Sequence, residues 1–316
     1  PYTNNVLGLV GGRGEKVSNR ILNRATGTLR PPGSSIKPVS VYAPALDAGI
    51  INYASVYDDV PVNFGTDPEN PQAWPGNLPY IYRGLTNINS AIERSVNTVA
   101  VRVLQDLTPQ ASYDFVTQKL KFTSVYDKFT TASGVVMSDI DLSPLALGQL
   151  SYGISVKELT AAYSIFQNEG VFTEPRLYTE VKDSSGETIL SNEKKSEIVI
   201  SEQSASVMTK MLYNVVNDPE GTASGTITLK NSVDVAGKTG TTTADFDRWF
   251  VGFTPYYVGG VWVGYDMNIA LSAFGASPAA IVWNTVMTKL HQKYLDAAAN
   301  GTEELLTFKT ADGLIE

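Results

Sequence analysis

Apolar positions along the chain follow two patterns, one helical and one extended. A spacing of three or four residues predicts helices, and short apolar runs between turn residues predict strands. The helical pattern predicts helices near residues 34–48, 86–96, 97–107, 109–120, 156–170, 202–216 and 279–295. The extended pattern predicts strands near residues 6–10, 176–182, 188–190, 233–242, 250–253 and 258–263.

Local signals fix the starts of several predicted helices. Thr108 is followed by Pro109, which is the order of an N-cap and a proline at the first helical position. Ser143, again followed by a proline, predicts the start of a further short helix. Ser155 and Glu158 have the spacing of a capping box. These signals place most of the helices in the first half of the chain.

The order of the elements predicts an α+β fold with a discontinuous sheet subdomain. Residues 1–49 and 171–296 form its two parts, with the strand at 6–10 paired to the last strands. Residues 50–170 form a largely helical subdomain, and residues 297–316 form a polar C-terminal tail. Residues 52–84 predict a long irregular region, and so long a loop inside a compact domain is usually functional.

Composition excludes several classes of protein. The 316 residues are 43% hydrophobic and 18% charged, which is typical of one large globular domain or two interleaved ones. The net charge of -8 and the lack of a basic run exclude a nucleic-acid-binding surface. The longest uncharged run, residues 249–265, is interrupted by glycine and proline, which favours buried strands over a membrane helix. There is no signal peptide, and the abrupt start predicts a fragment of a longer protein.

The residue types present also limit the chemistry. The chain has no cysteine, so disulfides, thiol nucleophiles and cysteine metal sites are excluded. His291 is the single histidine, and its helical surroundings predict a packing or surface role rather than a part in a catalytic triad. A zinc site is therefore not expected, and no metal or other cofactor is predicted.

The stretch at residues 31–38 (PPGSSIKP) carries the first candidate chemistry. Ser34 and Lys37 are three residues apart, which puts both side chains on one face of a helix, whereas Ser35 points elsewhere. A helix N-terminus favours negative charge on the serine oxygen, and a lysine one turn on can take part in proton transfer. This motif alone is weak, because Ser34 also fits an N-cap and Ser191 with Lys194 has the same S-x-x-K spacing in a charged stretch.

Two further motifs make the evidence from the first one more specific. Ser95 and Asn97 form the only S-x-N in the chain, and residues 238–240 form the only K-T-G. Alone, these motifs fit a helix end and a strand leading to a turn. Together they follow S-x-x-K in the order of the three-motif set of penicillin-recognising serine acyltransferases.

The motifs suit acyl transfer without histidine. Lys37 would act as the base, with its pKa lowered by the nearby charge of Lys238. Ser95 would relay the proton between Lys37, Lys238 and the leaving group, and Asn97 would hold an amide of the substrate. The amides of Ser34 and of Thr241 would form the oxyanion hole.

The strand of the third motif would bind the substrate as an added strand. Lys238 and the hydroxyls of Thr239 and Thr241 would bind a terminal carboxylate, and Gly240 would let the substrate approach the backbone. Thr242 continues this predicted substrate-binding row.

Longer stretches around the motifs carry a specific resemblance. The segments are residues 7–13 (LGLVGGR), 33–38 (GSSIKP), 93–102 (ERSVNTVAVR), 236–242 (AGKTGTT), 249–255 (WFVGFTP) and 260–266 (GVWVGYD). They resemble the transpeptidase domain of class A penicillin-binding proteins, over about residues 6–296.

The resemblance implies a fold, an activity and a location. The fold is of the β-lactamase/DD-peptidase type, with a five-stranded antiparallel sheet flanked by helices and an all-helical subdomain. The activity is peptidoglycan cross-linking, in which Ser34 attacks the stem pentapeptide at its D-Ala-D-Ala end, an acceptor amine resolves the acyl-enzyme, and β-lactams acylate the same serine. The location is the outer face of the bacterial cytoplasmic membrane, with a glycosyltransferase domain and a membrane anchor preceding this region.

Three related functions compete with cross-linking. A class A β-lactamase uses a glutamate to activate water, and no glutamate occurs between Asn97 and Glu158, where that family would place it, although five aspartates do. A DD-carboxypeptidase differs only in its acceptor, which is water. A non-catalytic β-lactam sensor would share the nucleophile and acylate without turnover.

Overall fold

The chain is described by a computed structural model that covers residues 2–16, 18–64, 73–131, 133–271, 275 and 277–314. The α-helices are α1 Arg24–Gly27, α2 Ala43–Asp47, α3 Ile88–Glu93, α4 Asn97–Leu107, α5 Pro109–Asp114, α6 Leu142–Leu147, α7 Val156–Gln167, α8 Glu202–Asn217 and α9 Pro278–Ala299. Shorter helical segments are the 3₁₀ turns Gly33–Ile36, Leu229–Asn231 and Thr243–Asp245 and the π-helical turns Pro38–Tyr42 and Phe115–Lys119. The strands are β1 Val56–Asp59, β2 Asn63–Phe64, β3 Ala73–Trp74, β4 Gly84–Asn87, β5 Phe129–Thr130, β6 Val136–Met137, β7 Val171–Thr173, β8 Glu180–Lys182, β9 Thr188–Ser191, β10 Ser196–Ile198, β11 Ala236–Thr241, β12 Asp247–Phe253 and β13 Val258–Gly264.

The main sheet contains β11, β12 and β13, all antiparallel. Successive residues of β13 face opposite sides of the sheet. A Cβ on Gly259 would touch Trp283 and Met287 of α9, and one on Gly260 would touch Thr160 of α7. The sheet therefore lies between α9 on one face and α7 on the other.

The strand predicted at residues 6–10 is not formed. Among the described residues the main sheet has three strands, and the opening segment pairs only through a single parallel bridge between Asn5 and Arg176. Leu7 is 80% exposed and Val10 is 83% exposed, so this apolar run buries neither side chain against the sheet. The predictions of an opening strand and of five strands are wrong for this structure, while the division into subdomains stays a prediction.

The helix predicted at residues 34–48 is present, in three consecutive pieces. A 3₁₀ turn, a π-helical turn and α2 follow one another from Gly33 to Asp47. The apolar side chains of this segment are fully buried: Ile36, Val39, Val41, Tyr42, Ala43 and Ala45. The hydroxyl of Tyr163 in α7 donates to Ser35 O (2.5 Å), and Ser40 Oγ donates to Leu145 O in α6 (2.6 Å). This central helix thus joins the sheet side of the molecule to the helical side.

The capping signals are confirmed with one exception. Thr108 caps α5, and Ser155 with Glu158 forms a complete capping box on α7. The short helix α6, however, begins at Leu142, and its cap is Asp141 rather than Ser143. The Asp141 side chain accepts a hydrogen bond from Leu142 N, which moves the helix start two residues earlier.

The region predicted to be irregular contains two small hairpins. Strand β1 pairs with β4, and β2 pairs with β3. Residues 65–72 of this region lie outside the described residues. Gly76 and Asn77, between β3 and β4, accept hydrogen bonds from Asn97 at the start of α4.

His291 has the packing role predicted for it. It is fully buried in α9, where its ring nitrogens pair with Thr254 Oγ1 (2.8 Å) and Met287 O (2.7 Å). Across the part of the chain that the structure describes, no helix combines the length and the apolar character needed to cross a bilayer.

Candidate active site

Ser34 lies in the 3₁₀ turn that opens the central helix, as the sequence predicts. Gly33 before it has a φ of +54°, and a Cβ there would lie 2.4 Å from Thr241 O. A Cβ on Gly240 would lie 2.3 Å from Pro32 O. Glycine on both sides therefore lets the backbone around Ser34 pack directly on β11.

Lys37 is fully buried at the junction of the 3₁₀ and π-helical turns. Its Nζ donates to Asn97 Oδ1 (2.6 Å), Ser95 O (2.9 Å) and Val96 O (3.4 Å). The first two motifs are thus in direct contact. Lys37 and Ser34 both belong to the described part of the chain, and no hydrogen bond joins Lys37 Nζ to Ser34 Oγ.

Ser95 and Asn97 lie at the sharp bend between α3 and α4. Ser95 has a φ of +61°, in the left-handed region that L-residues rarely adopt. In this conformation the Ser95 carbonyl accepts a hydrogen bond from Lys37 Nζ, and the predicted relay through the Ser95 hydroxyl stays a prediction. Asn97 Nδ2 donates to Gly76 O (2.7 Å), which leaves its second amide hydrogen for the predicted contact with the substrate.

Both motif lysines have lowered pKa values. Burial lowers the pKa of Lys37 well below its usual value, and the charge of Lys238 lowers it further. Burial also lowers the pKa of Lys238 to about 7. The predicted direction for Lys37 is therefore present, but burial is its larger cause and the neighbouring charge the smaller one. A lowered pKa increases the fraction of a lysine that is neutral, and only the neutral amine can accept a proton.

The K-T-G residues lie on β11, as predicted. Lys238 is fully buried, and its Nζ donates to Thr239 O (3.2 Å). Thr239 Oγ1 donates to Thr222 Oγ1 (2.8 Å), on the turn that follows α8. Thr239 thus contacts a residue that the sequence did not single out.

A cavity of about 240 Å³ lies between the motifs. Four of the predicted site residues line it, namely Ser34, Asn97, Thr241 and Thr242. The other lining residues are Trp74, Pro75, Gly76, Leu147, Gln149 and Thr243. Lys37, Lys238 and Gly240 lie in the protein interior beside it, because each is buried.

The wall formed by residues 74–76 was missed by sequence analysis. The only signal for it was the general expectation that the long region at 52–84 is functional. On the opposite side, Gln149 Nε2 donates to Thr243 Oγ1 (3.0 Å), and Ser143 Oγ donates to Gln149 Oε1 (2.5 Å). These contacts join α6 to the end of the K-T-G strand.

A buried ion pair ties this end of the site together. Arg30 Nε lies 2.6 Å from Asp247 Oδ1, and both side chains are largely buried. Thr242 Oγ1 donates to the other carboxylate oxygen of Asp247 (3.1 Å). Trp249 Nε1 donates to Pro31 O (2.9 Å), so the segment that precedes the nucleophile is anchored twice to β12.

Known proteins are similar to this chain in sequence. A family profile described as the penicillin binding protein transpeptidase domain matches residues 1–288. Penicillin-binding protein 1A of Clostridium tetani is 33% identical over 331 residues, which cover 98% of this chain and 39% of that protein. Penicillin-binding protein 1F of Bacillus subtilis is 33% identical over 271 residues, covering 84% of this chain and 34% of that protein. The chain thus spans little more than a third of the length of these relatives.

The fold is also similar to a solved structure. The crystal structure of penicillin-binding protein 1A from Haemophilus influenzae matches with a TM-score of 0.69 and 25% identity, over 85% of this chain and 43% of that one. This likeness confirms the predicted α+β fold class, although the main sheet has fewer strands than expected.

Proposed function

Since this chain belongs to the penicillin-binding protein transpeptidase family, we propose that it cross-links peptidoglycan stem peptides through an acyl-enzyme on Ser34. The observation that carries the proposal is the buried Lys37 amine, held by three acceptors of residues 95–97 beside a cavity that Ser34 lines. The roles of the individual residues and the activity of the whole protein are parts of this proposal.

Lys37 is the general base in the first step. A neutral lysine amine keeps two N–H groups and one lone pair. The two shorter contacts, to Asn97 Oδ1 and Ser95 O, take up the two N–H groups. The neutral amine gives up the longest contact, to Val96 O (3.4 Å). Its lone pair is then left for the hydroxyl proton of Ser34, one helical turn away.

Acylation forms one bond and breaks another. Ser34 Oγ bonds to the carbonyl carbon of the penultimate D-Ala while its proton passes to Lys37. The C–N bond to the terminal D-Ala breaks, and the leaving amine takes up a proton from the Ser95 hydroxyl, which is replenished from Lys37. The amides of Ser34 and Thr241 stabilise the oxyanion. Lys238 and Thr241 bind the terminal carboxylate, together with Thr239.

Deacylation uses an amine from a neighbouring stem peptide. Its nitrogen bonds to the acyl carbon and gives up a proton to Lys37, the ester bond to Ser34 breaks, and the serine oxygen regains that proton from Lys37. β-Lactams enter by the same first step, in which their amide C–N bond opens. The acyl-Ser34 that results persists because the ring nitrogen stays attached to the acyl group and obstructs the acceptor.

The β-lactamase alternative lacks its water-activating residue. Glu158, at the far limit of the region where such a glutamate is expected, accepts hydrogen bonds from Ser155 Oγ (2.6 Å) and Thr123 Oγ1 (2.7 Å). Although burial opposes it, these hydrogen bonds lower the pKa of Glu158 overall. Glu158 does not line the cavity, which supports a slow hydrolysis of the acyl-enzyme.

The cell envelope is the site of action that follows from this substrate. The relatives of this chain are penicillin-binding proteins, and peptidoglycan stem peptides lie outside the cytoplasmic membrane. We place this domain on that outer face, held there by an N-terminal anchor in the full-length protein.

Intact-mass spectrometry with a penicillin tests the proposal. The wild-type protein should gain one drug mass and keep it for hours, and Ser34→Ala should gain nothing. Ser191→Ala is the matched control, because Ser191 has the same S-x-x-K spacing on the exposed strand β9, and this variant should behave as the wild type does.

Other outcomes separate the alternatives. An adduct that appears and disappears while hydrolysed drug accumulates indicates a β-lactamase. A stable adduct without turnover of a stem-peptide analogue, with or without an amine acceptor, indicates a sensor, and hydrolysis of the analogue alone indicates a carboxypeptidase. An adduct that persists in Ser34→Ala contradicts the assignment of the nucleophile.

A further inference from the structure

A buried carboxylate lies behind the Asn97 side of the site. Asp59, at the end of β1, is only 1% exposed. Its Oδ1 accepts hydrogen bonds from Asn77 Nδ2 (2.7 Å) and Thr98 Oγ1 (2.5 Å), and its Oδ2 accepts one from Arg83 N (2.9 Å). A buried charge is costly unless it is hydrogen-bonded in this way, so the three donors are held firmly around it.

Asn77 connects this carboxylate to the start of α4. Its Oδ1 accepts hydrogen bonds from Asn97 N (2.9 Å) and Thr98 N (3.4 Å), which are the first two N–H groups of the helix. Helix N-termini leave such groups without intrahelical partners. The residue at the N-cap position, Val96, provides no side-chain cap. Asn77 therefore caps α4 from a separate part of the chain.

The residue before Asn77 extends this arrangement to the base. Gly76 O accepts a hydrogen bond from Asn97 Nδ2 (2.7 Å), and Asn97 Oδ1 accepts one from Lys37 Nζ (2.6 Å). An asparagine amide rotated by half a turn would present its NH₂ group to Lys37 instead. The contact with Gly76 therefore selects the orientation in which the oxygen faces the lysine.

We propose that Asp59 and Asn77 are positioning residues for acyl transfer, which fix the Asn97 amide with its oxygen toward Lys37. The Asp59 carboxylate holds Asn77, Asn77 holds the first turn of α4, and Gly76 holds the Asn97 side chain. The proposal rests on the proposed function only in taking Lys37 as the base. It also gives residues 74–76 a fixed place as the wall of the cavity.

Acylation kinetics of the full chain with a fluorescent penicillin test this role. Asp59→Asn and Asn77→Ala should acylate about 10- to 100-fold more slowly, since a small misplacement of a catalytic group has effects of this size. Their rate should also depend on pH differently from the wild type, because Lys37 loses a fixed acceptor. Thr98→Ser keeps the hydroxyl that donates to Asp59 and should acylate within about twofold of the wild type.

Asp58→Asn is the matched control, because Asp58 is the exposed neighbour of Asp59 on the same strand. It should leave both the rate and its pH dependence unchanged. Folded fractions are measured in parallel by thermal unfolding and by titration of reactive sites. Asp59→Asn and Asn77→Ala variants that lose rate only in proportion to their unfolded fraction, with the wild-type pH profile, overturn the proposal.

Hydrogen exchange of the Asn97 side-chain amide, followed by NMR, provides a readout that needs no acylation. Exchange should be slow in the wild type and faster in Asn77→Ala, whose α4 has lost its cap. If the wild-type protein is not acylated, the proposed function fails. This measurement still tests whether Asp59 and Asn77 position the Asn97 side chain. Unchanged exchange in a folded Asn77→Ala protein contradicts the positioning role.

Discussion

The same S-x-x-K spacing occurs in two regions that differ in backbone conformation and in burial. At Ser34 and Lys37 the backbone is helical, and Lys37 is fully buried against residues 95–97. At Ser191 and Lys194 the chain leaves strand β9, and both residues are exposed. Three residues of helix bring two side chains to one face, whereas three residues of extended chain do not.

The difference teaches where the chemistry of a short motif comes from. The spacing supplies the two groups, but it is burial that lowers the pKa of Lys37 well below its usual value. The second and third motifs matter because they surround the first one with acceptors and with a second buried lysine. The predictions below contrast the buried motif with exposed positions of the same residue type.

Removal of the base should have the largest effect. Lys37→Met should lower the acylation rate by about 10³-fold, within the usual scale of general-base catalysis, because the proposed acceptor of the Ser34 proton is lost. Lys194→Met, at the exposed copy of the motif, should acylate at the wild-type rate. Stopped-flow measurement with a fluorescent penicillin checks both. Equal rates in the two variants would show that Lys37 is not the base.

Separation of β11 from the central helix should have the second-largest effect on the acylation rate. Gly240→Ala places a methyl group against Pro32 O, and the strand must move away. We expect acylation to slow roughly 100-fold because the carboxylate-binding residues shift relative to Ser34. Gly225→Ala is the control, since no atom lies within 4 Å of its Cβ position. Similar rates for both variants would place β11 outside the reaction.

The affinity for the substrate carboxylate should depend on pH, with a smaller change than the two effects on the acylation rate. The pKa of Lys238 is lowered to about 7, so its ammonium group loses its proton as the pH rises past that value. We expect the dissociation constant of a penicillin to rise by about tenfold across this range, the scale of one charge-assisted hydrogen bond. The penicillin methyl ester, which lacks the carboxylate, should show no such change. A parallel change for the ester would assign the pH effect to another group.

The smallest expected effect is on stability. Because burial lowers the folded-state pKa of Lys238 below its usual value of 10.5, the unfolded chain binds more protons between about pH 7 and pH 10.5, and stability rises with pH there. Lys238→Met removes this cost and should raise the free energy of unfolding near neutral pH by at least about 1 kcal/mol. Denaturant unfolding measures it, and the gain should shrink toward pH 10. A lower free energy of unfolding for Lys238→Met at neutral pH would contradict the inference that burial of this lysine destabilises the fold.

Much of the site could be predicted because its residues are close in sequence or belong to known motifs. The positions of Ser34 on a helix start and of Lys238 on a strand follow from local patterns, and both are observed. The three motifs taken together predict that Lys37 and Ser95 lie close to each other, but the direct contact of Lys37 with Asn97 was not predicted. The packing role of His291 followed from the helical pattern around it.

What sequence analysis missed depends on contacts between distant residues. The cap that Asn77 places on α4 comes from a loop whose local sequence gives no sign of its partner. The turned carbonyl of Ser95 arises from a positive φ that an S-x-N motif does not encode. The opening strand was predicted from an apolar run, yet Leu7 and Val10 are exposed, because a run of this kind needs a partner before it forms a strand.

The distance along the chain between Ser34 and β11 also has a consequence during protein synthesis. The contact of Pro32 and Thr241 with the two glycines joins residues that leave the ribosome about 200 residues apart, or roughly 10 to 40 s at usual elongation rates. Until then the segment around Ser34 lacks the strand against which it packs. If Ser34 is the nucleophile as proposed, we expect a nascent chain to react with a penicillin only after β11 has been made.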